Sequence, residues 1–392
     1  MTTPRLICGQ RRTLTNFEGA CSFLPAVVKP EAAYKTLTDP TQGCFKGLPR
    51  PYRTGGVTER TEADDDGRAF EASLWPAKQR VSQFIADHTS PIVVGKARLQ
   101  EKPVAVIYNP SSGSKTNIRG KIEAKLSEHG ISASFFETKR YMHAWQLAEE
   151  EIDLSQYSAL VGVGGDGTLH EVINGMLMRK DGKRLPVSLI PNGSGNDLVG
   201  CFGISNLDQA LDWLVTGDTV KMDVNKVLVD YEHESEIPEC EVRSSQFRYS
   251  VINAAIGFIA KVVHKADALK PYTGRGCYKA AGIYNFFKNS AEYFAVSIEQ
   301  PDGSLIEIPR EPTMLTVIMN GKYGGGRIPL TPCAMLNDGL FDMIFQHGPA
   351  STQEFLRVCR DVLLSQGDHI YLETQSYFRG RKLRITNCNE AI

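Results

Sequence analysis

The sequence predicts an α/β fold: a domain built on a parallel sheet, followed by a mostly antiparallel domain of sandwich or open-barrel type. Three observations carry this. Between Val104 and Val215, short apolar runs alternate four times with helical stretches, the pattern of a parallel sheet flanked by helices. After Gly217 the texture changes to alternating, β-rich runs, as in antiparallel sheets. Of the 392 residues, 42% are hydrophobic, enough to build cores for two or three domains.

The elements follow in order. VAVIYNP opens at Val104 as a buried strand ended by an Asn-Pro turn. Ile118, Ile122 and Leu126 fall at four-residue steps and place a helix over residues 115–129. ISASFFE is a second strand, 143–152 a helix, SALVGV a third strand and 169–178 another helix. Thr-Leu-His-Glu before that helix has the form of a capping box, with Thr168 as N-cap and Glu171 at the third position. VSLIP, 187–191, is the fourth strand, and a helix over 208–215 closes the pattern. Beyond it, VKMDVNKVLVD, FRYSVINAAIGF, YFAVSIEQ, SLIEIP, MLTVIMN and LFDMIFQ read as strands, with Asp302-Gly303 as a hairpin turn. Helices are expected near 259–270, 277–290 and 351–365. The domains expected are a partly ordered N-terminal extension over 1–102, an α/β domain over 103–217 and the β-rich domain over 218–392.

A formal charge of −1 gives no global attraction to nucleic acid. The basic run from Arg379 to Arg384 reads as a solvated face. Nine cysteines form no CxxC pair and no Cys/His cluster at zinc spacing, so reduced thiols in a cytosolic protein are expected. The start, MTTPRLICGQRR, lacks the apolar run of a signal peptide. No stretch approaches the roughly 18 apolar residues of a spanning helix. The expectation is a cytoplasmic protein that meets membranes only at their surface.

Three loops carry the chemistry: NPSSGSK (109–115), GGDGT (164–168) and PNGSGND (191–197). Each follows an apolar strand, so each lies at a strand's carboxyl end, where ligands of parallel sheets bind. Glycine-rich turns entering helices offer N–H groups and a positive dipole end to anions. Three such loops together point to a polyphosphate, hence a nucleotide-binding domain. GxxxxGK[ST] does not occur. Gly162-x-Gly164-x-x-Gly167 matches a dinucleotide fingerprint. However, Asp166 would repel a pyrophosphate, and no acid stands at the end of the next strand. Asp166 fits phosphoryl transfer better: a carboxylate near the γ-phosphate takes the proton of an attacking hydroxyl, with Mg²⁺ as counter-charge. The plain alternative is that Asp166 caps a helix or braces the turn. His170 reads as a packed or surface histidine.

GGDGT with EVxNG after it, NPxSG before and PxGxGND beyond resembles the diacylglycerol kinase catalytic-domain family, which includes sphingosine and ceramide kinases. AAIGFIAKV resembles its lipid-side segment. Asn320-Gly321, Gly324-Gly325-Gly326, Pro332 and Asn337-Asp338-Gly339-Leu340-Phe341-Asp342 resemble its GGG…P…DGxxD segment. The resemblance covers roughly Pro103 onward. It implies a nucleotide-binding α/β domain, a β-sandwich domain and an active site in the cleft between them. It further implies that ATP is held by Asn109, Gly113, Thr138, Gly164, Gly165, Gly167, Thr168, Gly193, Ser194, Gly195 and Asn196. Asp166 would be the catalytic carboxylate, Asp338 and Asp342 part of a magnesium-linked network, and Gly257, Phe258 and Lys261 would face the lipid.

Two departures from the family pattern shape the expectation. Sphingosine kinases place an acid shortly after Gly-Phe in the lipid-side segment. Here Lys261 stands there, with no carboxylate until Asp267, which favours diacylglycerol, ceramide or another neutral lipid over sphingosine. Family members also carry a final strand followed by Asp-Gly-Glu. Here RKLRITN runs into CNEAI, so the second domain is expected to be truncated or to lack that acid, with weak activity if nothing replaces it. The function expected is an ATP-dependent lipid kinase acting on a lipid substrate at a membrane surface. The alternatives are an NAD kinase-like phosphotransferase and a catalytically idle nucleotide sensor or scaffold.

Overall fold

Strands β3 (Val104–Tyr108), β5 (Ala159–Gly164) and β6 (Val187–Pro191) are buried along nearly their whole length, as strands covered on both faces must be. With β4 (Ala133–Glu137) they form a parallel sheet in the order β4-β3-β5-β6. The computed structural model describes residues 11–23, 95–113, 117–229, 247–273, 281, 284, 292–300, 302–348, 353, 360, 367–372 and 374–387. Of the helices expected over 277–290 and 351–365, only residues 281, 284, 353 and 360 are described, and these are helical; the aromatic pair Phe286 and Phe287 and the terminal CNEAI lie outside the described residues.

The helices of this domain are α1 (Ile118–Glu128), α2 (His143–Gln146), α3 (Asp166–Met178), α4 (Asp197–Cys201) and α5 (Leu207–Thr216). α1 buries Ile122 and Leu126, and α3 buries Leu169, Val172, Ile173 and Met176, all in one core with the sheet. Asn117 caps α1 by accepting the Gly120 N–H at 2.9 Å. Three local expectations are corrected. The helix over 143–152 relaxes into a π-turn at Leu147–Glu151. α4 was not foreseen: five residues are too few to show a period. The capping box does not form, because α3 begins at Asp166 with Gly165 as N-cap. Glu171 instead accepts the Met142 N–H at 3.3 Å and so caps the entry to α2.

At Gly217 the chain leaves α5 in a left-handed turn (φ 71°), and β7 (Asp218–Val229) begins. β7 pairs antiparallel with β8 (Phe247–Ser250) and, at its start, with the short β2 (Gly95–Lys96). Beyond lie β9 (Asn253–Gly257), α6 (Phe258–Thr273), β10 (Glu292–Glu299), β11 (Leu305–Met319), β12 (Tyr323–Gly324), β13 (Ile328–Pro329), β14 (Phe341–His347), β15 (Gln375–Gly380) and β16 (Lys382–Asn387). SLIEIP and MLTVIMN are one long strand, β11, flanked antiparallel by β9, β10 and β14. The Asp302-Gly303 turn joins β10 to β11 as expected. Phe294, Ile298, Ile318, Phe341, Phe345, Phe378 and Leu383 form this domain's own core. The result is the α/β domain followed by an antiparallel, sandwich-like domain.

One strand comes from the N-terminal extension. β1 (Arg11–Phe23) pairs antiparallel with β7 along one edge and with β16 along the other, and reaches β6 at Phe23–Val187. Through β1 the two sheets run into one another.

Candidate active site

The three glycine loops meet at the carboxyl ends of β3, β5 and β6. After β3, the Asn109 N–H donates to Val163 O at 3.1 Å, and its Oδ1 accepts the Ser111 N–H at 2.9 Å. Its Nδ2 faces Thr168 Oγ1 at 3.4 Å. Ser112 Oγ donates to Asn192 O at 2.7 Å, and Asn192 Nδ2 donates back to Ser112 O at 2.8 Å. Gly113 lies in the left-handed region, and a Cβ there would fall 2.3 Å from Asn192 O. The other two loops touch backbone to backbone: a Cβ on Gly193 would lie 2.3 Å from Gly165 Cα. A Cβ on Gly164 would strike the Thr168 side chain at 2.6 Å. Asn196 straps its own loop, accepting the Gly193 N–H and donating to Gly193 O, both at 2.9 Å. Thr138, buried at the end of β4, donates its N–H to Tyr108 O at 3.0 Å. Gly167 and Ser194 are exposed, and among the described residues nothing lies within 4 Å of a Cβ at Gly167. At Gly167 the first turn of α3 is thus uncovered by the described residues, as a helix N-terminus that meets an anion would be.

Asp166 stands at this junction as the first residue of α3. It is half-buried, and its Oδ1 accepts the Leu198 N–H at 3.1 Å. A Cβ at Gly195 would sit 2.9 Å from its Oδ2, so a larger residue there would push the carboxylate aside. Burial, above all, raises this carboxyl above the usual carboxylate range. The charge of Asp197 adds to the shift, while the N–H groups of Leu198, Asp197 and Asn196 oppose it. Asp166 thus braces α4 and also has raised proton affinity at the mouth of the three loops. His170, four residues on, is packed: burial, then the charge of Arg248, holds its imidazole down at about 4.

Several contacts join the domains here. Asp197 is buried; its Oδ1 accepts the Gly326 N–H at 3.0 Å and also the Arg327 N–H. Asn174, fully buried on α3, donates to Tyr249 O and accepts the Tyr249 N–H, both at 2.9 Å. Within the second domain, Asn320 Nδ2 donates to Asp223 O, and the Asp223 carboxylate accepts the Gly339 N–H at 2.7 Å.

Asp338 and Asp342 gather around Arg379. The guanidinium meets Asp338 Oδ2 through Nη2 and lies 3.1 Å from Asp342 Oδ1 through Nε. Tyr377 donates its hydroxyl hydrogen to Asp342 Oδ1. Burial pushes the Asp338 carboxyl up to about 7, with Arg379 opposing and Asp342 adding to the rise. Arg379 is only 4% exposed, which corrects the reading of Arg379–Arg384 as a solvated face at its first residue, while Arg381 is exposed. For magnesium the pair fits in donor chemistry: both are hard carboxylate oxygens, and Asp342 Oδ2 is buried with no hydrogen-bond partner. Among the described residues no group of three or more His, Cys, Asp or Glu gathers as a ready metal cage.

On the side expected to face the lipid, Gly257 is left-handed (φ 77°), and a Cβ would lie 2.5 Å from Met314 O. Phe258 packs against Met314, Leu315, Val317 and Met319. Lys261 Nζ lies 2.6 Å from Glu292 Oε1. The carboxylate missing near Lys261 in sequence is thus supplied by β10, as the lysine's own ion-pair partner.

Sequence reasoning named Asp166 and the loops but missed Asp197, Asp223, Glu292 and Arg379. Asp197 closes the PNGSGND stretch, and Asp223 interrupts the apolar pattern of a buried strand; both signals were available. Glu292 and Arg379 carry no local signal, since their partners lie far away along the chain.

Comparison with known proteins agrees with this architecture. The family model described as Diacylglycerol kinase catalytic domain matches residues 103–227. That described as YegS C-terminal NAD kinase beta sandwich-like domain matches residues 252–392. A Diacylglycerol kinase of Staphylococcus epidermidis is 28% identical over 290 residues, covering 73% of this chain and 82% of the relative. The Diacylglycerol kinase of Bacillus subtilis (strain 168) is 26% identical over 289 residues, covering 72% and 86%. Sphingosine kinase B of Dictyostelium discoideum is 32% identical over 130 residues, 32% of this chain and 17% of that protein. In fold, the chain is similar to the crystal structure of a diacylglycerol kinase from Bacillus anthracis str. Sterne, with a TM-score of 0.51 and 22% identity over 74% of this chain and 88% of that one.

Proposed function

The chain belongs to the diacylglycerol kinase catalytic-domain family and is a lipid kinase, and we propose that it transfers the γ-phosphate of ATP to the hydroxyl of a neutral lipid with Asp166 as general base. One observation carries this reading: Asp166 stands where the three glycine loops touch, half-buried, with its proton affinity raised by that burial. The loops offer backbone N–H groups to the triphosphate, and the open first turn of α3 adds its dipole. The Asp166 carboxylate accepts the proton that the lipid hydroxyl loses as its oxygen attacks phosphorus. Asp338 and Asp342 would hold magnesium, which when bound neutralises charge on the phosphates.

The acceptor class follows from charge. Lys261 and Glu292 neutralise one another at 2.6 Å, so this pair offers no surplus negative charge to a cationic head group. The reading therefore favours diacylglycerol, ceramide or a related neutral acceptor. A membrane surface is the natural place to meet it, and exposed side chains of the second domain have the composition for this. Tyr272 is 85% exposed, and Val263, Tyr284 and Tyr293 are also exposed. Lys265 Nζ lies 4.4 Å from the Tyr284 ring centre, and the Arg310 guanidinium 5.3 Å from that of Tyr293. Aromatic rings paired with cations suit the headgroup layer of an anionic bilayer. Among the described residues no helix is long and apolar enough to cross a membrane.

The test is transfer of label from γ-labelled ATP to a panel of diacylglycerol, ceramide, sphingosine and NAD, the last because the second family model is described as NAD kinase-like. Asp166→Asn should lower kcat about 10²-fold or more. A variant within twofold of wild type refutes the base. Label appearing only on NAD refutes the lipid acceptor.

A further inference from the structure

We propose that Arg327 is a positioning residue, which ties the second domain to the base by spanning helix α4 from one end to the other. The inference rests on the reading of Asp166 as the base. α4 has only five residues, Asp197–Cys201, and both domains hold it. From the first domain, Asp166 accepts the N–H of Leu198 at 3.1 Å. From the second, Gly326 and Arg327 turn their N–H groups onto the Asp197 carboxylate. The Arg327 side chain then runs along α4. A Cβ on Gly200 would lie 3.4 Å from Arg327 Nε and 3.6 Å from its Cδ, so the stem crosses the helix where it is bare. Arg327 Nη2 ends on Ile204 O at 2.7 Å, just beyond the helix.

The backbone at Arg327 has φ 65°, left-handed and disfavoured for a residue with a Cβ. Glycines precede it at 325 and 326, and a glycine at 327 would adopt the same turn without strain. A side chain is nevertheless present, and its guanidinium reaches a main-chain acceptor in the other domain. A helix of five residues has little stability of its own, so its orientation is set by what grips it. Movement of the second domain at Arg327 shifts α4, and with it the N–H that aims Asp166. The base is thereby aligned only when the second domain is seated.

The test compares wild type with Arg327→Gly, Arg327→Ala, Arg327→Lys and Asp166→Asn, measuring kcat and KM for ATP and the thermal midpoint. Arg327→Gly keeps the N–H that Asp197 accepts and relieves the strained φ, so it folds even if Arg327→Ala does not. The expected result is a kcat lowered on the order of ten- to a hundredfold in Arg327→Gly, as a misplacement near 1 Å produces. KM for ATP should stay within about twofold, and Arg327→Lys should recover part of the loss. Unchanged kcat in Arg327→Gly, with Asp166→Asn inactive, overturns the positioning role and leaves the base standing. An equal rise in KM with kcat unchanged also overturns it. An active Asp166→Asn removes the base and this inference with it.

Discussion

Gly193→Ala tests the meeting of the loops most directly. The added Cβ would lie 2.3 Å from Gly165 Cα and 3.2 Å from Gly165 N, against about 3.4 Å for ordinary contact. The obstacle is backbone, which cannot rotate aside, so the second and third loops must part by about 1 Å. Overpacking of this kind costs about 1–3 kcal/mol. On the proposed reading the kinetic cost is larger, because the same displacement moves the third glycine loop relative to Asp166, and 1 Å can cost about 10²-fold. Gly165→Ala provides a graded comparison. Its Cβ would meet Gly193 Cα at 3.2 Å, a conflict that a few tenths of an ångström relieves. The expected order of label transfer from ATP to lipid is wild type, then Gly165→Ala, then Gly193→Ala, with the thermal midpoint falling in the same order. Gly193→Ala within threefold of wild type and with an unshifted midpoint would refute the close approach on which the site is built.

The knot around Arg379 makes a pH-dependent prediction. Asp338 is raised to about 7 in the fold, so its contribution to stability is full below about pH 4, its unfolded value, and is lost as pH rises through 7. Arg379→Met leaves two buried carboxylates without their cation, at a cost of about 3–5 kcal/mol near pH 8. The midpoint of this variant should recover more than that of wild type on going to pH 5.5, and an equal shift in both proteins contradicts the pairing. Asn174→Leu strands the Tyr249 N–H and C=O at the domain junction. It should lower unfolding stability by about 2–3 kcal/mol in denaturant titration, and a loss under 0.5 kcal/mol would show that the junction does not depend on it. Combining Lys265→Glu with Tyr272→Asp should weaken sedimentation with anionic vesicles about tenfold or more, while activity on lipid dispersed in detergent micelles persists. Undiminished vesicle binding would place the membrane face elsewhere.

Much of the architecture was written in local pattern. The parallel strands announce themselves because burial on both faces demands continuous apolar runs, and the glycine loops because backbone-to-backbone contact tolerates no Cβ. The strand β15 was missed because its alternation includes Tyr377 and Arg379, a buried tyrosine and a buried cation, which resemble a surface strand until their acidic partners are known. Glu171 suggested a cap on its own helix. It caps α2 instead, since the chain brings the Met142 N–H within its reach.

By itself, the sequence determined the strand–helix order, the three glycine-rich turns and the acid among them, since each depends on residues within a turn or two of one another. The tertiary structure alone decided which partners the charges meet: Asp197 the N–H groups of Gly326 and Arg327, Lys261 the carboxylate of Glu292, Asp338 and Asp342 the guanidinium of Arg379. It also decided that Asp166 lies against α4. Those pairings depend on how the chain path folds back on itself. A charge that costs little in water becomes decisive once burial removes the solvent that would otherwise screen it.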